Sequence, residues 1–112
     1  MIANDPKRLD EATLLIDKAL VNSPGNTAVE GSAGWLYYQT RRYPKAVTHL
    51  RAALGNGTNS STRYRLAAAC MMAGDKECAV DQYEAALKQN PGDPTRALAA
   101  NLLGRQTQSK QQ

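Results

Sequence analysis

The residues whose types could do chemistry are few and widely separated. The chain has a single histidine, His49, and no acidic residue lies three or four positions from it, where a helix would bring the two onto one face. Asp10 and Glu11 are adjacent, so on a helix their carboxylates point in different directions. We therefore expect no catalytic residue, no metal site and no cofactor, and predict that the protein is not an enzyme.

Two cysteines, Cys70 and Cys78, lie four residues on either side of Gly74. In a helical hairpin that turns at Gly74 they would occupy matching levels on the two arms, so a disulfide is conceivable. Such a bridge needs Cα atoms within about 7 Å, and Cys78 lies about 100° around its helix from Ala79, the expected inward residue. We keep both states open and favour two free thiols. The spacing does not fit a zinc or redox motif.

Two other motifs are interpreted as local structure. The N-glycosylation patterns Asn56-Gly57-Thr58 and Asn59-Ser60-Ser61 share one connector, where these residue types are abundant because they favour turns. We interpret both as chance matches. Gly31 and Gly34 fall inside a predicted helix, not in a phosphate-binding loop, and we expect them to let a neighbouring helix approach.

A set of small and large apolar residues recurs every 33 or 34 residues. The sets are Ala12, Ile16, Ala19 and Leu20; Ala46, Leu50, Ala53 and Leu54; and Ala79, Tyr83, Ala86 and Leu87. Spacings of three and four place each set on one helical face, suited to nesting between two neighbouring helices. The residues that precede the second and third sets at matching places are Ala33, Gly34 and Tyr37, and Leu66, Ala67 and Cys70. The pattern predicts stacked helical hairpins.

This pattern resembles the tetratricopeptide repeat, in which a bulky residue, Leu-Gly, Tyr, Ala, an aromatic residue, Ala and Pro follow at fixed places. The resemblance covers residues 6 to 92, with Glu30 and Arg63 in place of the leading aromatic residue. It implies an all-α fold of antiparallel hairpins stacked as a superhelical solenoid. The expected units are a half repeat at about 6–26, repeats at about 27–60 and 61–93, a capping helix at about 94–106 and a disordered tail at 107–112.

Capping and turn signals predict helices at about 6–22, 27–41, 44–54, 62–73, 76–90 and 94–106. Asp75 and Asp93 are typical of helix starts, because an Asp side chain accepts a free amide hydrogen. Gly74 suits the left-handed residue that ends a helix. The apolar side of the last helix is expected to consist of Ala97, Leu98, Leu102 and Leu103.

The net charge of +4 is unevenly distributed, since residues 31–74 carry six basic residues and no acidic one. The predicted basic patch consists of Arg41, Arg42, Lys45 and Arg51. Such a block could attract an anionic polymer or nucleic acid, but basic residues without interleaved aromatic ones are weak evidence for nucleic acid. We interpret the block as a solvated surface and keep an anionic polymer or nucleic acid as an alternative partner.

In the family that the pattern resembles, the first helices of the repeats line a concave groove that binds peptides or partner helices. The resemblance places on this groove Trp35, Tyr38, Gln39, Tyr64, Arg65, Ala68, Met71 and Met72. We therefore expect a protein or peptide partner, unless Trp35 or the two methionines pack between repeats. A non-catalytic appendage of an enzyme or membrane machine is the other alternative. We disfavour a chaperone-tail receptor, because Gly31 and Trp35 stand where Lys and Asn would be required.

The run Ala33-Gly34-Trp35-Leu36-Tyr37-Tyr38 resembles the closing repeats of long bacterial tetratricopeptide proteins. Many of those serve secretion, pilus or exopolysaccharide assembly, which implies the periplasmic side of a bacterial cell envelope, with the cytoplasm as alternative. No apolar run reaches the roughly 18 residues that cross a bilayer, so membrane contact is expected only through a larger complex. Leu9, Leu15 and Ile16 have no preceding helix to cover them, and we expect weak self-association or a helix swap.

Overall fold

The computed structural model describes residues 6–54 and 59–111, with side chains described for residue 8 and for 10–54 and 59–104. This part of the chain forms α1 (Pro6–Asn22), α2 (Thr27–Gln39), α3 (Tyr43–Leu54), α4 (Ser60–Met72), α5 (Lys76–Gln89) and α6 (Arg96–Gln111). The predicted helices are all present. The predicted disordered tail is wrong as far as Gln111, because α6 continues through it, and Gln112 lies outside the described residues.

Two hairpins, α2–α3 and α4–α5, turn in the same way. The Arg42 amide donates to the Tyr37 carbonyl at 2.8 Å, and 33 residues later the Asp75 amide donates to the Cys70 carbonyl at 2.8 Å. The residue before each donor has a positive φ, 64° at Arg41 and 88° at Gly74. Glycine adopts this backbone without strain and arginine does not, so the turn geometry repeats even where the residue type does not.

Side-chain caps start three of the helices. The Asn26 side chain accepts from the amides of Ala28 and Val29 at the start of α2. Asp75 accepts from Cys78 at the start of α5, as its sequence position predicts. Asn59 accepts from the Thr62 amide and caps α4, which supports the turn interpretation of the Asn59-Ser60-Ser61 pattern. The other glycosylation pattern, at 56–58, lies outside the described residues.

Small residues sit where the helices approach most closely. Ala33, Ala46 and Ala79 are all completely buried in one core cluster. A Cβ atom at Gly34 would lie 2.5 Å from Cγ of Leu50 and 3.0 Å from its backbone nitrogen, so Gly34 lets α3 approach α2. A Cβ atom at Gly31 would make only an ordinary contact, 3.6 Å from Cβ of Ala53. The expected role in close approach therefore holds for Gly34.

Polar pairs join the two arms of each hairpin where the repeat pattern has its leading aromatic residue. Oε2 of Glu30 on α2 lies 2.6 Å from Nδ1 of His49 on α3. At the equivalent positions of the next hairpin, Nη1 of Arg63 donates to Oε1 of Gln82 at 3.1 Å. The acidic partner of His49 is therefore on another helix, where spacing along α3 could not reveal it.

The outer helices match the sequence expectation in part. On α1, Leu15 is 68% exposed as expected, whereas Ile16 packs against the core and the side chain of Leu9 is outside the described residues. On α6, Ala99 is buried, whereas the expected inward residue Ala97 is exposed. The exposed apolar face of α1 also includes Leu14 and Val21. The expected weak self-association stays a prediction.

Asp93 ties the start of α4 to the start of α6. Its carboxylate is buried and accepts hydrogen bonds from Oγ of Ser60 at 2.6 Å, from the Thr95 amide at 2.9 Å and from Oγ of Ser61 at 2.8 Å. These donors stabilise the ionised form and lower the pKa of Asp93 from 3.8 to about 2. The sequence predicts Asp93 as a helix-start residue, but it does not reveal that Ser60 and Ser61 donate to its carboxylate.

We expect the substitution Asp93→Asn to lower the free energy of unfolding by about 1–2 kcal/mol at pH 7. A depressed folded-state pKa stabilises the protein above the unfolded-state pKa near 4, and this stabilisation is lost as pH falls towards 2. The variant should therefore lose less stability than the wild type between pH 4 and pH 2 in urea unfolding followed by circular dichroism. Asp81→Asn, at an exposed position of α5, is the matched control. If Asp93→Asn lost as much stability as the wild type between pH 4 and pH 2, the lowered pKa of Asp93 would be contradicted.

Candidate functional site

A cavity of about 790 Å³ lies between α2 and α4 and is bordered by the end of α3. Residues spaced four apart on α2 form one wall: Thr27, Gly31, Trp35 and Gln39. Ala53 and Leu54 come from α3, and Thr62 and Arg65 from α4. The volume falls in the range of ligand-binding clefts in proteins. The wall combines an aromatic residue, small residues and a few hydroxyl and amide groups.

Trp35 is held in place by two side chains. Its indole stacks on the ring of Tyr38, with centroids 5.2 Å apart and an interplanar angle of 6°. Cζ of Arg65 lies over the indole, 4.5 Å from its centroid. Tyr38 is in turn fixed by an edge contact with Tyr43 at 5.5 Å. An aromatic side chain held in this way loses little conformational entropy when a partner binds.

Among the described residues that line this cavity, Arg65 is the one with a charged side chain, and none is Asp or Glu. The Nε atom of Arg65 is buried and has no hydrogen-bond partner among the described residues. A buried donor without an acceptor costs about 1–3 kcal/mol, so favourable contacts such as that with the indole must offset it. The cavity therefore presents one cation beside an apolar aromatic surface.

The structure brings together only part of the predicted groove. Trp35, Gln39 and Arg65 line the cavity, while Tyr38 supports Trp35 from outside the lining. Met71 packs against the core, and Met72 is 42% exposed but does not line the cavity. The alternative that the methionines pack between repeats therefore applies to Met71.

The predictions for Tyr64 and Ala68 as groove residues are wrong, because both are completely buried. Tyr64 packs with Ala86 of α5 and Ala99 of α6, and its hydroxyl donates to the Asn90 carbonyl at 2.8 Å. Burial raises the pKa of this hydroxyl. Because α6 packs on α4, this part of the α4 face belongs to the core.

The predicted basic patch divides between two places. Arg42 and Lys45 lie over the ring of Tyr37, at 6.0 Å and 5.5 Å, beside the exposed Arg41. Arg51 instead reaches α5, where its Nη2 donates to Sγ of Cys78 at 3.2 Å. The four residues therefore do not form one continuous binding surface, and none of them lines the cavity.

Cys70 and Cys78 form a disulfide between α4 and α5, with their Cα atoms 5.8 Å apart. This differs from the two free thiols that the sequence favours. The rotation of Cys78 away from the inward face does not separate the pair, because the hairpin turn brings the ends of the two helices within bridging distance. Cys70 is completely buried and Cys78 nearly so.

Sequence reasoning missed the small polar residues of the cavity. Thr27 and Thr62 carry no chemical signature, and Gly31 was interpreted only as a site of helix approach and as a position that lacks the Lys of a chaperone-tail receptor. One signal was present, since Thr27, Gly31 and Gln39 follow or precede Trp35 at multiples of four residues, which places them on the same helical face.

The described residues hold no group of three or more metal-ligating side chains. Within the same residues, no helix combines the length and apolar character that a membrane span requires.

Stacked helical hairpins with small residues at their crossings define a helical repeat protein. The model of the tetratricopeptide repeat matches residues 32–94, more than half of the chain. The chain belongs to the tetratricopeptide repeat family. Among solved structures it is similar to "MamA MSR-1 C2", with 27% identity and a TM-score of 0.71 over 86% of this chain.

The same alignment covers 58% of the MamA chain, so this chain spans less than two thirds of that protein. A comparison with curated proteins gave no match. The family and the fold together support a role as a protein–protein interaction scaffold.

Proposed function

We propose that the protein is a scaffold that binds an extended segment of a protein partner in the cavity between α2 and α4, with Trp35 as the anchor. The observation that carries this proposal is the indole that lines the cavity while Tyr38 and Arg65 hold it. Half-buried aromatic residues in concave sites are typical hot spots of protein interfaces. The small α2 residues that line the cavity beside Trp35 leave room for the backbone of a segment; they are Thr27, Ala28, Gly31 and Ser32.

The surroundings of the cavity also favour a peptide over a small organic molecule. Its wall mixes hydroxyl and amide groups with the aromatic surface, and these groups can form hydrogen bonds with a peptide backbone. The cavity is bounded by helices on two sides and is large enough for several residues of an extended segment.

We further propose that the protein acts outside the cytoplasm, in an assembly of the bacterial cell envelope such as a secretion, pilus or exopolysaccharide system. The Cys70–Cys78 disulfide supports an oxidising compartment, because cytosolic thiols are kept reduced. Alkylation of protein taken from its native cells tests the compartment. Cysteines that react fully without a reductant would contradict it.

The substitution Trp35→Ala should weaken peptide binding by about 2 kcal/mol, or roughly 30-fold in Kd. The measurement is titration of peptides selected from a random display library on the wild-type protein, with circular dichroism to verify the fold. Met72→Ala is the matched control, since Met72 is exposed on the neighbouring repeat but lies outside the cavity. Its Kd should change by less than about twofold.

One result would replace this proposal by the alternative. If Trp35→Ala binds its partner normally and a variant with Arg41, Arg42 and Lys45 neutralised does not, binding depends on the surface beside Tyr37. The partner would then be an anionic polymer or nucleic acid, and its binding should fall steeply with salt concentration.

A further inference from the structure

Arg65 places its guanidinium group over the Trp35 indole, the anchor of the cavity. Its Cζ lies 4.5 Å from the centroid of the Trp35 indole, and the residue itself lines the cavity wall. A guanidinium that stacks on an aromatic face remains charged and keeps its N–H edge free for in-plane hydrogen bonds. The contact with Trp35 therefore fixes the position of the guanidinium group that would bind a planar acceptor such as a carboxylate.

This cation has no acidic counterpart in the cavity. No Asp or Glu lines the described cavity wall, and residues 31–74 contain none at all. The Nε donor of Arg65 is buried without a hydrogen-bond partner in the described chain. Two other cations of this region contact residues outside the cavity lining: Arg63 binds Gln82 and Gln89, and Arg51 contacts Cys78.

We infer that the bound segment carries an acidic side chain, Asp or Glu, whose carboxylate is received by Arg65 beside Trp35. This inference rests on the proposed function and specifies the chemistry of the partner. Because Nε is buried, the carboxylate meets the terminal Nη atoms of the guanidinium. Arginine binds carboxylates through parallel, charge-assisted hydrogen bonds, and the amide of Gln or Asn cannot supply the charge.

The cavity favours an internal acidic side chain over a chain terminus. Arg65 alone supplies cationic charge to the described wall, which suffices for a single carboxylate but not for a terminal carboxylate with an acidic side chain beside it. The volume of about 790 Å³ exceeds what one side chain fills, so residues on both sides of the acidic one can contact Trp35 and the small α2 residues beside it.

The test uses a positional-scanning library of hexapeptides that are acetylated, amidated and free of Trp, with each position fixed in turn as Glu or Gln. Trp35 is the one tryptophan of the chain, so its emission reports occupancy of the cavity directly. The wild-type protein should bind the best Glu peptide at least about tenfold more tightly than its Gln counterpart. In Arg65→Gln this preference should fall to about twofold or less, while the Gln peptide still binds.

Two further variants separate a specific contact from general charge. Arg41→Gln removes an exposed cation outside the cavity, and it should keep the full preference for Glu. Arg65→Lys keeps the charge but loses the planar fork, and its preference should be intermediate. Circular dichroism of each variant verifies that the helices are retained.

The possible failures are distinguishable. If no peptide changes the emission of Trp35, the proposed peptide groove itself is wrong. It is also wrong if the emission responds only to the protein concentration and not to added peptide. If Glu and Gln peptides bind equally to the wild type, the groove stands and the acidic partner does not. A preference for Glu that survives in Arg65→Gln, or a loss of all binding in that variant, would also overturn the inference.

Discussion

Replacing Ala46 by Leu is expected to lower the free energy of unfolding by about 2–3 kcal/mol, and the array should lose its cooperative transition if the core cannot adjust. Ala46 is completely buried on α3 in the cluster that also holds Ala33 and Ala79. Added methylene groups in a well-packed core force side chains off their rotamers and shift the backbone. Thermal and urea unfolding followed by circular dichroism measure the loss.

Ala52→Leu is the matched control for this prediction. Ala52 lies on the same helix but is exposed, and Leu and Ala have similar helix propensities. The control should change stability by less than about 0.5 kcal/mol. Equal stability of the wild type and both variants would contradict the close packing of α3 between its neighbours.

Reduction of the Cys70–Cys78 disulfide is expected to lower the free energy of unfolding by about 2–3 kcal/mol. The two cysteines are eight residues apart in sequence, and closing a loop of this length removes about that much conformational entropy from the unfolded chain. For a domain of this size the midpoint of thermal unfolding should fall by roughly 10 °C or more. The measurement compares unfolding curves with and without a dithiol reductant.

The double variant Cys70→Ala with Cys78→Ala controls for effects of the reductant on other groups. Its stability should equal that of the reduced wild type within about 1 kcal/mol and should not respond to the reductant. A wild-type protein whose unfolding curve is unchanged on reduction would show that the two thiols are not joined in solution.

The helices themselves could be predicted because their signals are local. The stripe of Ala46, Leu50 and Ala53 specifies one helical face through spacings of three and four residues. The turn residue Gly74 and the cap Asp75 act within one turn of their own position. The end of α6 was mispredicted because a polar composition between 107 and 111 indicates disorder, whereas the structure continues the helix there.

The candidate site could be predicted only in part. The resemblance to the repeat placed Trp35 on the concave side of α2, and the structure has it in the cavity wall. The same reasoning placed Tyr64 there, where α6 instead covers it. The sequence spacing cannot distinguish these two cases, because the difference depends on which later helix packs on each face.

By itself, the sequence determined a stack of helical hairpins, through a period of 33 or 34 residues and through small residues at the positions where helices cross. Only the tertiary structure decided which side chains meet: Glu30 with His49, Cys70 with Cys78, and Arg65 with Trp35. Each of these pairs joins two helices. Their contact depends on how the helices cross and rotate against each other, which local periodicity does not specify.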